Sequence, residues 1–381
     1  MKFQIERDVL ADAVAWTAKA LPQRPPVPVL GGVLLALDGS RLSVSGFDYE
    51  VSTQVDLEVQ ATTAGRTLVS GRLLADITRA LPAHPVDISV EGPRVLISCG
   101  NAKFSLPTMP VEDYPTLPQM PTAVGTVASD VFASAVAQVA IAAGRDDTLP
   151  MLTGVRLEIE GERLTLAATD RYRLAVRELG WKPEKPGLSH AVLVPARTLL
   201  DAARTLTSGP ELTLALSSAD AGEGMMGFGG TGRRTTTRLL DAEFPKYQSL
   251  WPASYSARSE IPTPMFIEAV KRVALVADRG TPVRLEFAEG GATLSAGGDD
   301  EGRAEEQIPI TFDGDPITIA FNPTFLLDGL NAIDSDVARI SFTESSKPAV
   351  LSGKAVGDDD TDGTTDGVDY RYLIMPVRLP G

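Results

Sequence analysis

Residues 8–48 align with residues 130–170 without a gap, at a constant offset of 122, and 17 of the 41 pairs are identical. Shared alanines account for some of these. They do not account for Pro28 with Pro150, Gly32 with Gly154, Gly39 with Gly161 and Asp48 with Asp170, all at one offset. The chain therefore carries a duplicated unit. A third, looser copy comes after it. "PMFIEAVKRVALVADRG" at 264–280 matches "DVFASAVAQVAIAAGRD" at 130–146, and "PVRLEFAEGGATLSAG" then answers "GVRLEIEGERLTLAA" after a loop shorter by six residues. The second half of each unit recurs too, as "SGRLLADITRAL" (70–81), "PARTLLDAARTL" (195–206) and "NPTFLLDGLNAI" (322–333). The fold must be one that three similar modules can build.

Local patterns give the module its content. "DVLADAVAWTAKA" has apolar residues at helical spacing behind Asp8, a residue suited to N-capping. "VLLALDGSRLSVSG" and "VDISVEGPRVLISCG" alternate and read as hairpins turning at "DGS" and "EGP". The order within a module is strand, helix, three strands, and then the same again, which makes the class α+β. Proline-rich connectors, "YPTLPQMPTAVG" and "FPKYQSLWPAS", set the expected domains at 1–121, 122–252 and 253–381.

Composition narrows the function. Of 381 residues 43% are hydrophobic, which suits a globular protein with real cores. The opening residues lack the apolar stretch of a signal peptide and no run reaches membrane-spanning length, so a cytoplasmic protein without a membrane partner is expected. Cys99, the single cysteine, sits in an alternating strand pattern and reads as a buried structural thiol. The formal charge of −15 argues against DNA binding through an ordinary basic patch.

Several motifs tempt and then fail. "GFGGTG" at 227–232 fits a dinucleotide loop, but "RRTTTRLL" after it reads as a strand where a helix start is required, so a hairpin tip is expected. Asp358, Asp360, Asp362, Gly363 and Asp369 have calcium-loop spacing, yet strands flank them, and a solvated acidic loop is the plainer reading. His84 and His190 both look like loop residues and form no cluster for a metal or a triad. No catalytic residue, metal site or cofactor is indicated, and no acid pair is singled out among the 50 carboxylates.

The repeat, "TDRYRLAV", "FPKY" and the ending "YRYLIMPVRLPG" together resemble the bacterial sliding clamp family, the β subunits of DNA polymerase III, over essentially the whole chain. The resemblance implies a DNA-clamp fold: three similar domains, each of two β-α-β-β-β units, with helices inside and sheets outside, form a half-ring. Two chains close head to tail around duplex DNA, held by topology without sequence preference. The implied function is a non-enzymatic processivity factor. It is loaded by a clamp loader and tethers polymerase, loader and repair proteins through short peptide motifs.

The six helical segments with their flanks sum to +2 against −15 for the chain, so a bore lined by helices is much less acidic than the rest. Candidates facing DNA are Arg24, Arg72, Arg79, Arg197, Arg204, Lys271, Arg272 and Arg279. The implied peptide pocket, between the second and third domains, matches Leu152, Thr169, Arg171, Tyr172, Arg173, Leu174, Pro245, Leu250, Asn322, Phe325, Met375, Pro376, Val377, Arg378 and Leu379. Apolar members form an adaptable cavity, and Arg and Asn fix the peptide backbone. Ser346 and Pro348 belong to its mouth. Arg171 stands where many clamps have a small residue; with Pro348 it marks a departure that bears on partner preference and on whether this is a housekeeping clamp or a paralogous copy. Ring joints are expected at Phe104 and Leu106 against Leu275 and Val276, with "AKFSLPT" as an edge strand. Two other readings compete: a hydrolase with a carboxylate site between repeats, and a monomeric β-rich module binding peptides or sugars.

Overall fold

The computed structural model describes residues 1–207, 209–217, 224–277, 280–297, 302–354 and 369–378. The chain runs through three similar series of elements. The first is β1 (Lys2–Ile5), α1 (Arg7–Lys19), β2 (Gly32–Asp38), β3 (Arg41–Phe47), β4 (Val51–Glu58), β5 (Gln60–Thr63), β6 (Gly65–Ser70), α2 (Gly71–Ala80), β7 (Val86–Glu91), β8 (Arg94–Cys99) and β9 (Ala102–Pro107). The second is β10 (Thr122–Ala128), α3 (Ser129–Ala140), β11 (Gly154–Glu160), β12 (Arg163–Thr169), β13 (Arg173–Gly180), β14 (Lys182–Pro183), β15 (Ser189–Pro195), α4 (Ala196–Thr205), β16 (Glu211–Leu216), β17 (Met225–Gly230) and β18 (Arg233–Arg238). The third is β19 (Ala257–Pro262), α5 (Thr263–Val273), β20 (Val283–Ala288), β21 (Gly291–Gly297), β22 (Arg303–Ile308), β23 (Thr311–Gly314), β24 (Ile317–Phe321), α6 (Pro323–Asn331), β25 (Val337–Phe342), β26 (Ala349–Gly353) and β27 (Tyr370–Ile374).

These elements form where the patterns direct them. α1 buries Leu10, Ala13, Val14 and Thr17, one face of a 3.6-residue period, against β2, β3 and β4. Its N-cap corrects one expectation. Glu6 occupies that position without a side-chain bond, and Asp8 lies inside the first turn, where the helix dipole favours an acid. The "DGS" hairpin turns on Gly39 at φ +55°, a left-handed position that glycine takes without a Cβ penalty. "GFGGTG" supplies the end of β17 and the Thr231–Gly232 turn of the β17–β18 hairpin, with a strand after it as its flanks require. His190 corrects another reading, because it belongs to strand β15 rather than to a loop. Cys99 is buried, with its thiol toward the carbonyls of Pro82 and His84 at 3.2 and 3.3 Å. No described helix is long and apolar enough to cross a membrane.

Two compact units result. Unit 1 comprises Met1–Asp130, Trp181–Pro186 and Asp201–Leu239; unit 2 comprises Val131–Gly180, Gly187–Leu200 and Leu240–Gly381. Each contains one nine-stranded antiparallel sheet. In unit 1 the order is β14-β10-β16-β17-β18-β4-β3-β2-β6, and in unit 2 it is β23-β19-β25-β26-β27-β13-β12-β11-β15. The seam in the middle is the same in both. Arg233 pairs with Val55 and Thr237 with Val51; at an offset of 122 on the second strand, Tyr370 pairs with Arg177 and Ile374 with Arg173. Compactness thus tracks sheet continuity across repeats, which is why the units cut across the sequence modules. Unit 1 also holds a five-stranded sheet, β5-β1-β7-β8-β9, and unit 2 a four-stranded one, β22-β21-β20-β24.

Candidate functional site

The densest group of candidate residues lies in unit 2, around the turn that joins β12 to β13. Asp170 shapes this turn: its Oδ1 accepts from the backbone N–H of Tyr172 at 3.1 Å and of Arg173 at 3.2 Å. Arg171 sits between them at φ +80°. The same turn exists in unit 1, where Asp48 accepts from Glu50 and Val51 and Tyr49 holds φ +78°. The turn is therefore part of the repeat, and its aspartate is structural. A non-glycine residue held left-handed costs on the order of 1 kcal/mol, and the turn retains one in both copies.

The copies differ in the residue that opens the next strand. Val51 in the first copy becomes Arg173 in the second. Arg173 is buried, and its guanidinium meets Asp170 at 2.9 Å, Asp328 at 2.6 Å and the Tyr372 hydroxyl at 3.4 Å. Burial works against the charge, but Tyr372, Asp328 and Asp170 outweigh it and hold the arginine firmly protonated. The guanidinium lies 4.4 Å from the Phe325 ring centre, Phe325 stacks on Tyr172 at 6.1 Å, and Arg171 caps Tyr172 at 5.8 Å. A cation–ring–ring–cation column thus runs from the interior to the surface. Its deep end carries fixed charge, and its outer end, with Tyr172 at 55% exposure, is accessible.

The final strand closes the site. Met375 donates its N–H to the Tyr172 carbonyl at 2.8 Å, and Val377 donates to Ala320 at 2.8 Å. Tyr372 donates its hydroxyl to the Phe325 carbonyl at 2.8 Å, which fixes α6 to β27. Ala349 opposite Ile374 brings Pro348 alongside Met375, with Ser346 exposed beyond it. Beneath, Leu174, Leu193, Phe244, Tyr247 and Leu373 form one apolar cluster, and Leu240 and Trp251 pack on it. Burial raises the Tyr247 hydroxyl well above its usual range, reinforced by the Glu158 carboxylate that accepts its hydrogen bond at 2.9 Å.

This placement sorts the pocket candidates. Tyr172, Leu250 and Met375 are exposed large apolar side chains, and Arg171, Pro245 and Arg378 are exposed beside them in the chain. Phe325, Pro376 and Val377 are half-buried, whereas Leu152, Thr169, Arg173 and Leu174 are buried. Two roles need correction. Asn322 caps α6, its Oδ1 accepting from Thr324 and Phe325 at 2.9 and 3.3 Å, and Arg173 is held by carboxylates. Both therefore set the frame of the site, a structural duty that the sequence reading did not assign to them. Asp170, Asp328 and Tyr372 were missed as site residues. Asp170 carried a signal in the matched Asp48, while Asp328 is visible only once α6 meets β13. Leu379 and Arg279 lie outside the described residues, as do 358–368 of the acidic stretch.

The DNA-facing and joint candidates divide by their partners. Arg72 and Arg79 on α2, Arg197 and Arg204 on α4, and Arg24 are exposed and carry no ion pair among the described residues. Lys271 reaches Glu268 at 2.8 Å, and Arg272 makes a two-pronged contact with Glu306 at 2.9 and 2.6 Å. β9 is an edge strand, as its sequence suggests. On it Phe104 is exposed but Leu106 is buried; Leu275 is 84% exposed and Val276 half-buried.

Comparison with known proteins agrees with this geometry along the whole chain. The DNA polymerase III beta subunit N-terminal, central and C-terminal domain families match residues 1–118, 126–246 and 248–366. A beta sliding clamp of Streptomyces coelicolor is 60% identical over the full length of both chains, and the beta sliding clamp homolog GriR of Streptomyces muensis is 45% identical over the full length of both. The solved sliding clamp of Pseudomonas aeruginosa bound to griselimycin is 28% identical, with a TM-score of 0.90 and complete coverage of both chains. These full-length matches decide against the hydrolase and the isolated binding module. The chain belongs to the bacterial DNA polymerase III β subunits, the sliding clamps, which serve the replicative polymerase as non-catalytic processivity factors.

Proposed function

We propose that two copies of this clamp close head to tail around duplex DNA by pairing β9 of one copy with β22 of the other. One observation carries this. The five-stranded sheet ending at β9 repeats the β14-to-β18 half of a nine-stranded sheet, and the four-stranded sheet ending at β22 repeats the β4-to-β6 half. Each half-sheet has an open edge where the complete sheets have a seam. Joined, they make a third sheet of nine strands without a free edge at the seam. Carrying the β18–β4 register across sets Lys103 opposite Glu305 and Phe104 opposite Ala304. Phe104 takes the position of Thr235 and Tyr372, both buried at their own seams. Leu106 then supports β9 from within, and Leu275 and Val276 complete the joint.

Enclosure explains how a chain of charge −15 serves DNA. Threading retains the duplex, so strong phosphate contacts are unnecessary. Arg24, Arg72, Arg79, Arg197 and Arg204 supply weak, exposed contacts; Lys271, Arg272 and Arg279 add less, since Glu268 and Glu306 already answer two of them. Polymerase, loader and repair proteins dock by short peptides whose apolar anchors meet Tyr172, Phe325, Leu250 and Met375, with Arg171 and Pro348 shaping the mouth. Tethering raises the effective concentration of polymerase at the primer end. The repeat supports three domains, 1–121, 122–252 and 253–381, and service to the replicative polymerase supports a cytoplasmic location.

Sedimentation tests the pairing. The wild type should sediment as a dimer, Lys103→Glu as a weakened dimer, and Lys103→Glu with Glu305→Lys as a restored one. A chain that is monomeric at every concentration would refute it.

A further inference from the structure

The helices carry a second joint that repeats with the sheets. In unit 1, Trp16 on α1 is buried, with the Arg233 guanidinium over its ring at 5.3 Å. The same guanidinium pairs with Asp12 and donates to the Thr205 carbonyl at the end of α4 at 3.5 Å. In unit 2, the residue matching Trp16 is Gln138 on α3. Gln138 is buried, and its Nε2 donates at 2.8 Å to the carbonyl of Ala332, the C-cap of α6 and the match of Thr205. Tyr370, which holds the seam position of Arg233, donates its hydroxyl to the Gln138 carbonyl at 3.4 Å. In both units the same helix position is thus tied to the C-terminal carbonyl of another helix, through the strand residue Arg233 in unit 1 and directly by Gln138 in unit 2.

The third copies of the two partners do not meet one another among the described residues. The match of Trp16 and Gln138 on α5 is Arg272, with Phe266, Ala269, Val270 and Val273 buried as Phe132, Ala135, Val136 and Val139 are. Arg272 is not buried; its side chain is 55% exposed. The match of Thr205 and Ala332 is Ala80, the exposed last residue of α2. We propose that in the ring Arg272 of one copy donates to the carbonyl of Ala80 in a second copy, making a third helix joint. This rests on the head-to-tail pairing proposed above.

The chemistry of the position fits. Glu306 holds Nε and Nη2 of Arg272, and Nη1 hydrogen-bonds to nothing among the described residues. A cation suits a helix C-terminus, where carbonyls lack intrahelical donors. The seam position of Arg233 and Tyr370 falls on Ala102 in β9, which has no reach, so here the helix residue must span the gap itself. Arginine is long enough to do so. Leu275, exposed one turn further on, supplies the apolar surface beside it.

Cross-linking tests the joint directly. A chain with Arg272→Cys and Ala80→Cys in a Cys99→Ser background should give a covalent dimer with a short bis-maleimide, and neither single-cysteine chain should. Arg272→Met should raise the dimer dissociation constant about tenfold, while Arg272→Gln, the residue used in unit 2, should stay within about threefold of wild type. A wild-type dimer without the cross-link, or an Arg272→Met dimer as tight as wild type, would overturn the joint while leaving the β9–β22 pairing intact. A wild type that never dimerises would overturn both.

Discussion

Ser52 and Thr236 share a hydrogen bond of 2.6 Å between their buried hydroxyls at the seam of β4 and β18. At the same seam positions in unit 2 stand Leu174 and Leu373, opposite one another in an apolar cluster. One register is thus sealed by polar pairing in one unit and by apolar burial in the other. Ser52→Ala leaves the Thr236 hydroxyl buried and short of its partner, and should cost about 1–2 kcal/mol. Leu373→Ala opens a cavity and should cost about 2–5 kcal/mol. Denaturant unfolding of each variant measures both.

Arg173 should matter more to the fold than to the peptide it was expected to grip. Truncating it leaves Asp170 without its ion pair in a partly buried turn and removes the base of the Phe325–Tyr172 column. Arg173→Met should destabilise unit 2 by about 3 kcal/mol. It should also loosen the 170–172 turn, seen as faster amide exchange at Tyr172. Unchanged exchange would show that Asp170 holds the turn alone.

Asp56 makes unit 1 sensitive to acid. Burial opposes its charge, but bonds from Ser43, Arg41 and Gln54, with Arg234 nearby, hold its carboxyl below the ordinary value of 3.8. The folded-state value therefore lies below that of the unfolded chain. Its stabilisation is fully present above about 3.8 and is lost as pH falls through the folded-state value. Asp56→Asn should lower stability at pH 7 by about 1–2 kcal/mol. Melting curves of the variant and wild type should converge as pH drops below the ordinary carboxylate range. A gap that persists there would assign the effect to shape rather than charge.

The outer end of the column should carry partner binding. Tyr172→Ala and Met375→Ala each remove an exposed apolar surface without disturbing the core, and each should weaken a fluorescent partner peptide about tenfold. Arg171→Gly removes the cation and relaxes the left-handed position. It should stabilise the turn slightly while changing which peptides bind, as competition between acidic and neutral peptides would reveal.

The sequence made the modules legible because alanine, proline and glycine recur at one offset, and hairpins announce themselves through "DGS" and "EGP". It did not disclose the compact units, because the seam of β18 with β4 joins residues 178 to 186 positions apart and only strand pairing reveals it. The exposed candidates for the pocket, such as Met375 and Tyr172, were readable by resemblance. The supports were not: Asp328 and Tyr372 reach Arg173 only after folding, and Asn322 reveals itself as a cap only when α6 begins behind it. Asp8 misled for the converse reason, since an acid near a helix start suits the first turn as well as the cap.

Retention on DNA of differing topology tests the central claim most directly. Clamp loaded by its loader onto nicked circular duplex should stay bound through gel filtration at moderate salt. It should leave rapidly once the circle is cut. Equal retention on circular and linear DNA would contradict enclosure and point to a direct affinity for the duplex.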